Sequence, residues 1–153
     1  MASYEKRGIK DHNAHANTMM DFGLYSKVIR GATDIDLFYE RNGNFLILEG
    51  KRVGKKAVSD GFFHVTWGQW KALIELDKAL STGHIFILAE RFNGKTKEVD
   101  QFQMFKLTEG EGVTIKKRRL VRFDFKPEWQ TKKEHLDEIN RIAKRFEKKR
   151  KHK

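Results

Sequence analysis

FYERNGNFLILEGK, residues 38–51, sets the dipeptide Asn42-Gly43 between two apolar-rich runs. Asn-Gly is the strongest short-range signal for a β-hairpin, because both central residues of a type I′ turn need φ > 0. The run Phe45 to Leu48 reads as a buried central strand, yet it continues straight into Glu49-Gly50-Lys51. A two-residue turn fixes the pairing: Arg41 faces Asn44, Glu40 faces Phe45 and Tyr39 faces Leu46. Counting on, Asp36 falls opposite Glu49 and Asp34 opposite Lys51. Side chains so opposed have Cβ atoms ~4.5–5.5 Å apart, and like charges there repel. Two carboxylates in an otherwise apolar strand pair share a proton or hold a cation. A hard divalent ion suits oxygen ligands, and Mg²⁺ is usually held by one or two carboxylates plus substrate phosphates. Lys51, on the face of Glu49, then stands where an ammonium can orient a water or stabilise charge on a phosphoryl oxygen. An edge hairpin whose acids and lysine point into water is the other outcome, and the apolar run Phe45 to Leu48 argues against it.

The hairpin's neighbours supply a sheet and its covering helices. Residues 12–29 carry apolar positions at a helical spacing, and Thr33 to Glu40 reads as the first strand. Beyond the strand Phe45 to Arg52, the segment from Gly54 to Gly61 reads as a loop, and Phe62 to Val65 as a third, short strand. Thr66 is an N-cap for the amphipathic run Trp67 to Leu80, with Gly83 beyond its end. His84 to Ala89 is a continuous apolar run, the pattern of a strand buried on both faces. Phe102 to Leu107 and Val113 to Phe125 read as a further strand pair, and Pro127 closes the body. From Thr131, Leu136, Ile139, Ala143 and Phe146 form one apolar stripe on a charged helix that runs into KKRKHK. The expected class is α/β, a mixed central β-sheet flanked by helices with a basic C-terminal helix. The expected division is a body over residues 1–130 and a basic amphipathic helix and tail over residues 131–153.

Charge is unevenly spread along the 153 residues. Residues 1–115 hold 16 basic and 15 acidic side chains, whereas residues 116–153 hold 16 basic and 6 acidic. A neutral body with a basic end points to a polyanion, nucleic acid before an anionic membrane surface, with a solubilising tail as the plain alternative. Lys55, Lys56, Lys116, Lys117, Arg118 and Arg119 are the phosphate-contact candidates. There is no cysteine, no apolar N-terminal segment of the signal type and no run approaching ~20 apolar residues, so a soluble, intracellular protein is expected. His12 and His15 lack a cysteine or a nearby third ligand and read as a polar helix start. Trp67 and Trp70 can stack on bases, although core packing of at least one indole is expected. No Walker loop, GxGxxG, nucleophile elbow or zinc pattern is present.

Asp36, followed thirteen positions on by Glu49-Gly50-Lys51, resembles the PD-(D/E)xK nuclease superfamily, whose core is helix, three-stranded meander, helix, strand. The resemblance covers about residues 12–90 and implies an αβββαβ restriction-endonuclease-like core. It implies that Asp36 and Glu49 bind Mg²⁺, with Mn²⁺ able to substitute, that the Gly50 carbonyl is a further ligand, and that Lys51 assists the attacking water. Gln69 matches the glutamine that many members carry on the helix after the meander, and Asp34 becomes a partner of Lys51. The short body is most similar to Holliday-junction resolvases and small phage-type nucleases, which implies the cytoplasm of a bacterial, archaeal or phage-infected cell. The expected function is Mg²⁺-dependent hydrolysis of DNA phosphodiester bonds, on double-stranded or branched DNA, with a homodimer if the substrate is a four-way junction. A non-catalytic nucleic-acid-binding module and an RNA-cleaving nuclease are the alternatives.

Overall fold

The computed structural model describes residues 35–80 and 83–148. The expected helix over 12–29, His12, His15, Asp34 and the last residues of the basic end lie outside them. The Asn42-Gly43 turn forms as read, with φ of 55° and 78°. It joins β1 (Leu37–Arg41) to β2 (Asn44–Val53) in the register Arg41↔Asn44, Glu40↔Phe45, Tyr39↔Leu46. A six-residue helix α1 (Lys55–Asp60) follows, where a loop was expected. Ala57 and Val58 pack against the core, and Gly61, at φ 89°, ends the helix by returning its N–H to the Ala57 carbonyl at 2.9 Å. Then come β3 (Phe62–Thr66), α2 (Trp67–Ala79), β4 (Gly83–Asn93), β5 (Glu98–Lys106) and a short 3₁₀ turn over Leu107–Glu109. The chain closes with β6 (Glu111–Ile115), β7 (Arg118–Asp124), the two-residue β8 (Gln130–Thr131) and α3 (Lys132–Arg145).

Two sheets result, so the class is α/β with a mixed main sheet. The main sheet has five strands in the order β1-β2-β4-β5-β8, and β2 runs parallel to β4 with the other pairs antiparallel. The third strand of the expected meander leaves this sheet: β3 joins β7 and β6 in a separate three-stranded one. Beside β2 there is room for one neighbour besides β1. Gly83–Asn93, which buries Ile85, Ile87, Leu88 and Ala89 on its two faces, fits that interior position better than a five-residue strand burying only Phe63 and Val65. The expected single strand Val113 to Phe125 is instead a hairpin. It turns at Lys116-Lys117, both left-handed with φ of 50° and 65°.

One face of the main sheet packs Ile47, Val53, Ile85, Ile87 and Phe105 against α2 and the second sheet, through Leu73, Phe63, Val121 and Phe123. The other face, with Leu46, Leu48, Leu88, Phe102 and Met104, lies under α3. Phe146, just past the last turn of α3, is 2% exposed and stacks between Tyr39 and His84. Asn42 in the hairpin turn donates to the carbonyls of Phe146 and Glu147 at 2.9 and 3.2 Å, satisfying acceptors that a helix end leaves over. The basic helix is therefore docked on the sheet through at least residue 146. Among the described residues no helix is long and apolar enough to cross a membrane. Phe146→Ala should destabilise the protein by about 3–5 kcal/mol through loss of a buried ring, measured by denaturant unfolding. A much smaller loss would show that α3 does not close this core.

Candidate functional site

Glu49 is 3% exposed in a strand whose other buried side chains are Leu46, Ile47, Leu48 and Val53. An ionised carboxylate there is costly unless it is paired and hydrogen-bonded. Its Oε1 accepts from Gln69 Nε2 at 2.8 Å and lies 3.7 Å from Lys51 Nζ. Lys51 reaches it because residues two apart on a strand share a face. Gln69 reaches it because α2 is held in one rotation by contacts on both sides of the helix. The Thr66 hydroxyl accepts from Gln69 N at 3.3 Å as the N-cap, and Trp70 Nε1 donates to the Leu107 carbonyl at 2.9 Å. The glutamine expected at the site is thus turned inward. Both indoles pack against the core, their rings 5.1 Å apart.

Asp36 sits one residue before β1, where the regular ladder has already ended at Leu37↔Leu48. Its carboxylate accepts from Gly50 N at 2.7 Å. Asp36 is therefore bound to the peptide unit that joins Glu49 to Gly50. Gly50 leaves room for its neighbours: a Cβ there would overlap Glu90 Oε1, which would have to shift, and lie 3.3 Å from Asp36 Oδ2.

Glu90, on β4 opposite Arg52, is the member of this group that sequence reasoning missed. Its carboxyl titrates above the ordinary value because of burial first and the Asp36 charge second, with Arg52 pulling the other way. A signal for it existed. The apolar run from Ile85 to Ala89 ends in a glutamate, as the run from Phe45 to Leu48 does. Glu49, Lys51 and Gln69 are brought together on the α2 face of the sheet, whereas Asp36 is held at the Gly50 amide, with Glu90 beside Gly50 on the other face.

The basic candidates lie on two other elements. Lys55 and Lys56 open α1 a few residues past Lys51 and are exposed. Lys116, Lys117 and Arg118 are exposed at the β6–β7 tip, and Arg119 lies with its guanidinium 4.0 Å from the centre of the Trp67 ring. The chain matches no protein-family model, no curated protein and no solved structure.

A folded-state pKa raised above 4.5 makes Glu90 least unfavourable when protonated. Its contribution is fully present below that value and is lost as pH rises through the folded pKa. Glu90→Gln should therefore leave stability unchanged in acid and raise it above pH 4.5, by an amount that levels off past the folded pKa. Melting temperatures of the parent and variant across pH check this, and a pH-independent difference would contradict it.

Proposed function

We propose that the protein is a Mg²⁺-dependent endonuclease that hydrolyses DNA phosphodiester bonds, with a site of the PD-(D/E)xK type. The observation that carries the reading is the buried Glu49 carboxylate, held by Gln69 and Lys51, with Asp36 bound to the adjoining peptide. Two carboxylates and a backbone carbonyl are hard oxygen donors, the set that Mg²⁺ takes when it also keeps water and substrate phosphate. Asp36, Glu49 and the Gly50 carbonyl would hold the ion, which supplies Lewis acidity and neutralises phosphate charge when bound. Mn²⁺ would serve in its place.

In hydrolysis, a water oxygen forms a bond to phosphorus as the ester P–O bond breaks, and the water proton ends on solvent or on the leaving oxygen. The Lys51 ammonium can donate to the attacking water or to the charged phosphoryl oxygens. Gln69 holds Glu49 Oε1 in place and so fixes the carboxylate while the reacting groups move. Gly50, lacking a Cβ, lets Asp36 and Glu90 approach the backbone.

The finer reading is branched DNA of the four-way type in a cytoplasmic setting. Such a junction needs two cuts and hence a two-fold dimer. In support of a second copy, β1 is an edge strand among the described residues, with Phe38 59% exposed beside Leu37 at 39%. One specific observation favours a non-catalytic binding module instead: Glu49, Lys51 and Gln69 already form a closed polar contact that ties α2 to β2.

Labelled linear, branched and single-stranded DNA and RNA, incubated with Mg²⁺ or with EDTA, separate these readings. Cleavage should need the metal, and Asp36→Asn or Glu49→Gln should reduce it by roughly 100-fold or more, with DNA binding kept. Lys51→Ala should remove cleavage but leave Mg²⁺ binding in place, since an ammonium is no ligand. If the parent cleaves none of the substrates, or all three variants cleave as the parent does, the endonuclease reading falls.

A further inference from the structure

The β6–β7 hairpin is built around a costly choice. Its two turn residues are lysines with φ of 50° and 65°, a region where glycine, asparagine and aspartate are preferred. The same turn geometry in the β1–β2 hairpin is made with Asn-Gly. Thr114 to Arg119 are all exposed, and no ion pair among the described residues reaches Lys116, Lys117 or Arg118. Ile115, opposite Arg118 in the ladder, is 41% exposed.

The tip also has a defined place. The β3–β7 ladder ends at Thr66↔Leu120, so among the described residues β7 and β6 run on past the end of β3 as a two-stranded ribbon. Thr66 is the N-cap of α2, and Arg119 over Trp67 braces the ribbon against the first turn of that helix. Gln69, in the same turn, holds Glu49. The ribbon therefore projects at the end of α2 from which the buried carboxylate is held.

We propose that the β6–β7 ribbon enters the major groove of B-form duplex DNA, with Lys116, Lys117 and Arg118 on the flanking phosphates and Arg119 kept as the brace. For the class of its partner this rests on the endonuclease reading above. A two-stranded ribbon fits the major groove of B-DNA, whereas the deep, narrow major groove of an A-form RNA helix excludes it. The charge at the tip complements the phosphates on both groove walls.

The test uses the full chain in EDTA, so that binding is read without cleavage. Lys116→Asn with Lys117→Gly replaces the turn by the sequence that forms the first hairpin, and should preserve or raise the melting temperature. Binding to a labelled DNA duplex should weaken by roughly tenfold or more near 0.1 M salt, and the slope of log K against log salt should fall by about 2, since each lost phosphate contact removes about 0.9. Lys132→Ala with Lys133→Ala removes equal charge from the start of α3, on the other face of the main sheet, and should change duplex affinity much less. The inference is overturned if the turn variant binds duplex DNA like the parent, if the α3 variant loses as much, or if duplex RNA or single-stranded DNA is bound as tightly as duplex DNA with the same loss. Cleavage in Mg²⁺ is scored separately. A parent that binds by this tip without cutting refutes the endonuclease alone, whereas one that cuts while the turn variant binds normally refutes the ribbon alone.

Discussion

A carboxylate buried in the middle of a sheet constrains everything around it. Moving Glu49 out of water costs several kcal/mol unless hydrogen bonds and an opposite charge offset the loss. The compensation comes from separate parts of the chain: Gln69 from the first turn of α2, and Lys51 from the same face of β2. Each partner needs its own support. Gln69 depends on the Thr66 cap and on Trp70 gripping the Leu107 carbonyl, so α2 can neither rotate nor slide without leaving Glu49 exposed to an apolar surround. Glu49 in turn depends on the Asn42-Gly43 turn. A one-residue slip of β2 would carry Glu49 to the α3 face, among Leu46, Leu48 and Leu88, and break the contact with Gln69.

What could be read from the sequence divides along the range of the forces involved. The hairpin register, the Thr66 cap of α2 and the doubly buried β4 are each written within a few residues, and each is present, whereas Leu80 rather than Gly83 ends α2 and the stripe of α3 packs Ile139, Ile142 and Phe146 against the core but leaves Leu136 exposed. Long-range competition was not legible. The main sheet accepts β4 rather than β3 beside β2, because apolar burial over a long strand outweighs adjacency in sequence, and no local pattern encodes that comparison. The β6–β7 turn was missed because its residues are lysines. Turn chemistry identifies Asn-Gly but not Lys-Lys, whose left-handed backbone is imposed by the strands on either side.

The site was legible in part for the same reason. Asp36, Glu49, Gly50 and Lys51 belong to one hairpin, so counting from its turn places Lys51 beside Glu49 and Asp36 near Gly50. Counting fails by one step at Asp36, where the ladder stops and the carboxylate takes up the Gly50 amide. Glu90 arrives from another strand through the parallel β2–β4 pairing, which places it opposite Arg52 and against the bare face of Gly50. The sequence marks Glu90 as the acid that ends an apolar run, and the strand order alone makes it the neighbour of Arg52 and Gly50.

The second sheet then has a structural role that its small size hides. Thr66 ends β3 and caps α2, so the ladder from Phe62↔Asp124 to Thr66↔Leu120 sets where the helix begins. Trp67, the first helical residue, carries Arg119 on its ring, and Gln69, two residues on, reaches Glu49. One helical turn is thus fastened to the basic ribbon on one side and to the buried carboxylate on the other. A tilt of the ribbon large enough to move Thr66 must also move Gln69, because the cap hydrogen bond joins those two residues directly. The placement of charge at the surface and the hydrogen bonding of the buried acid are therefore held by a single mechanical unit.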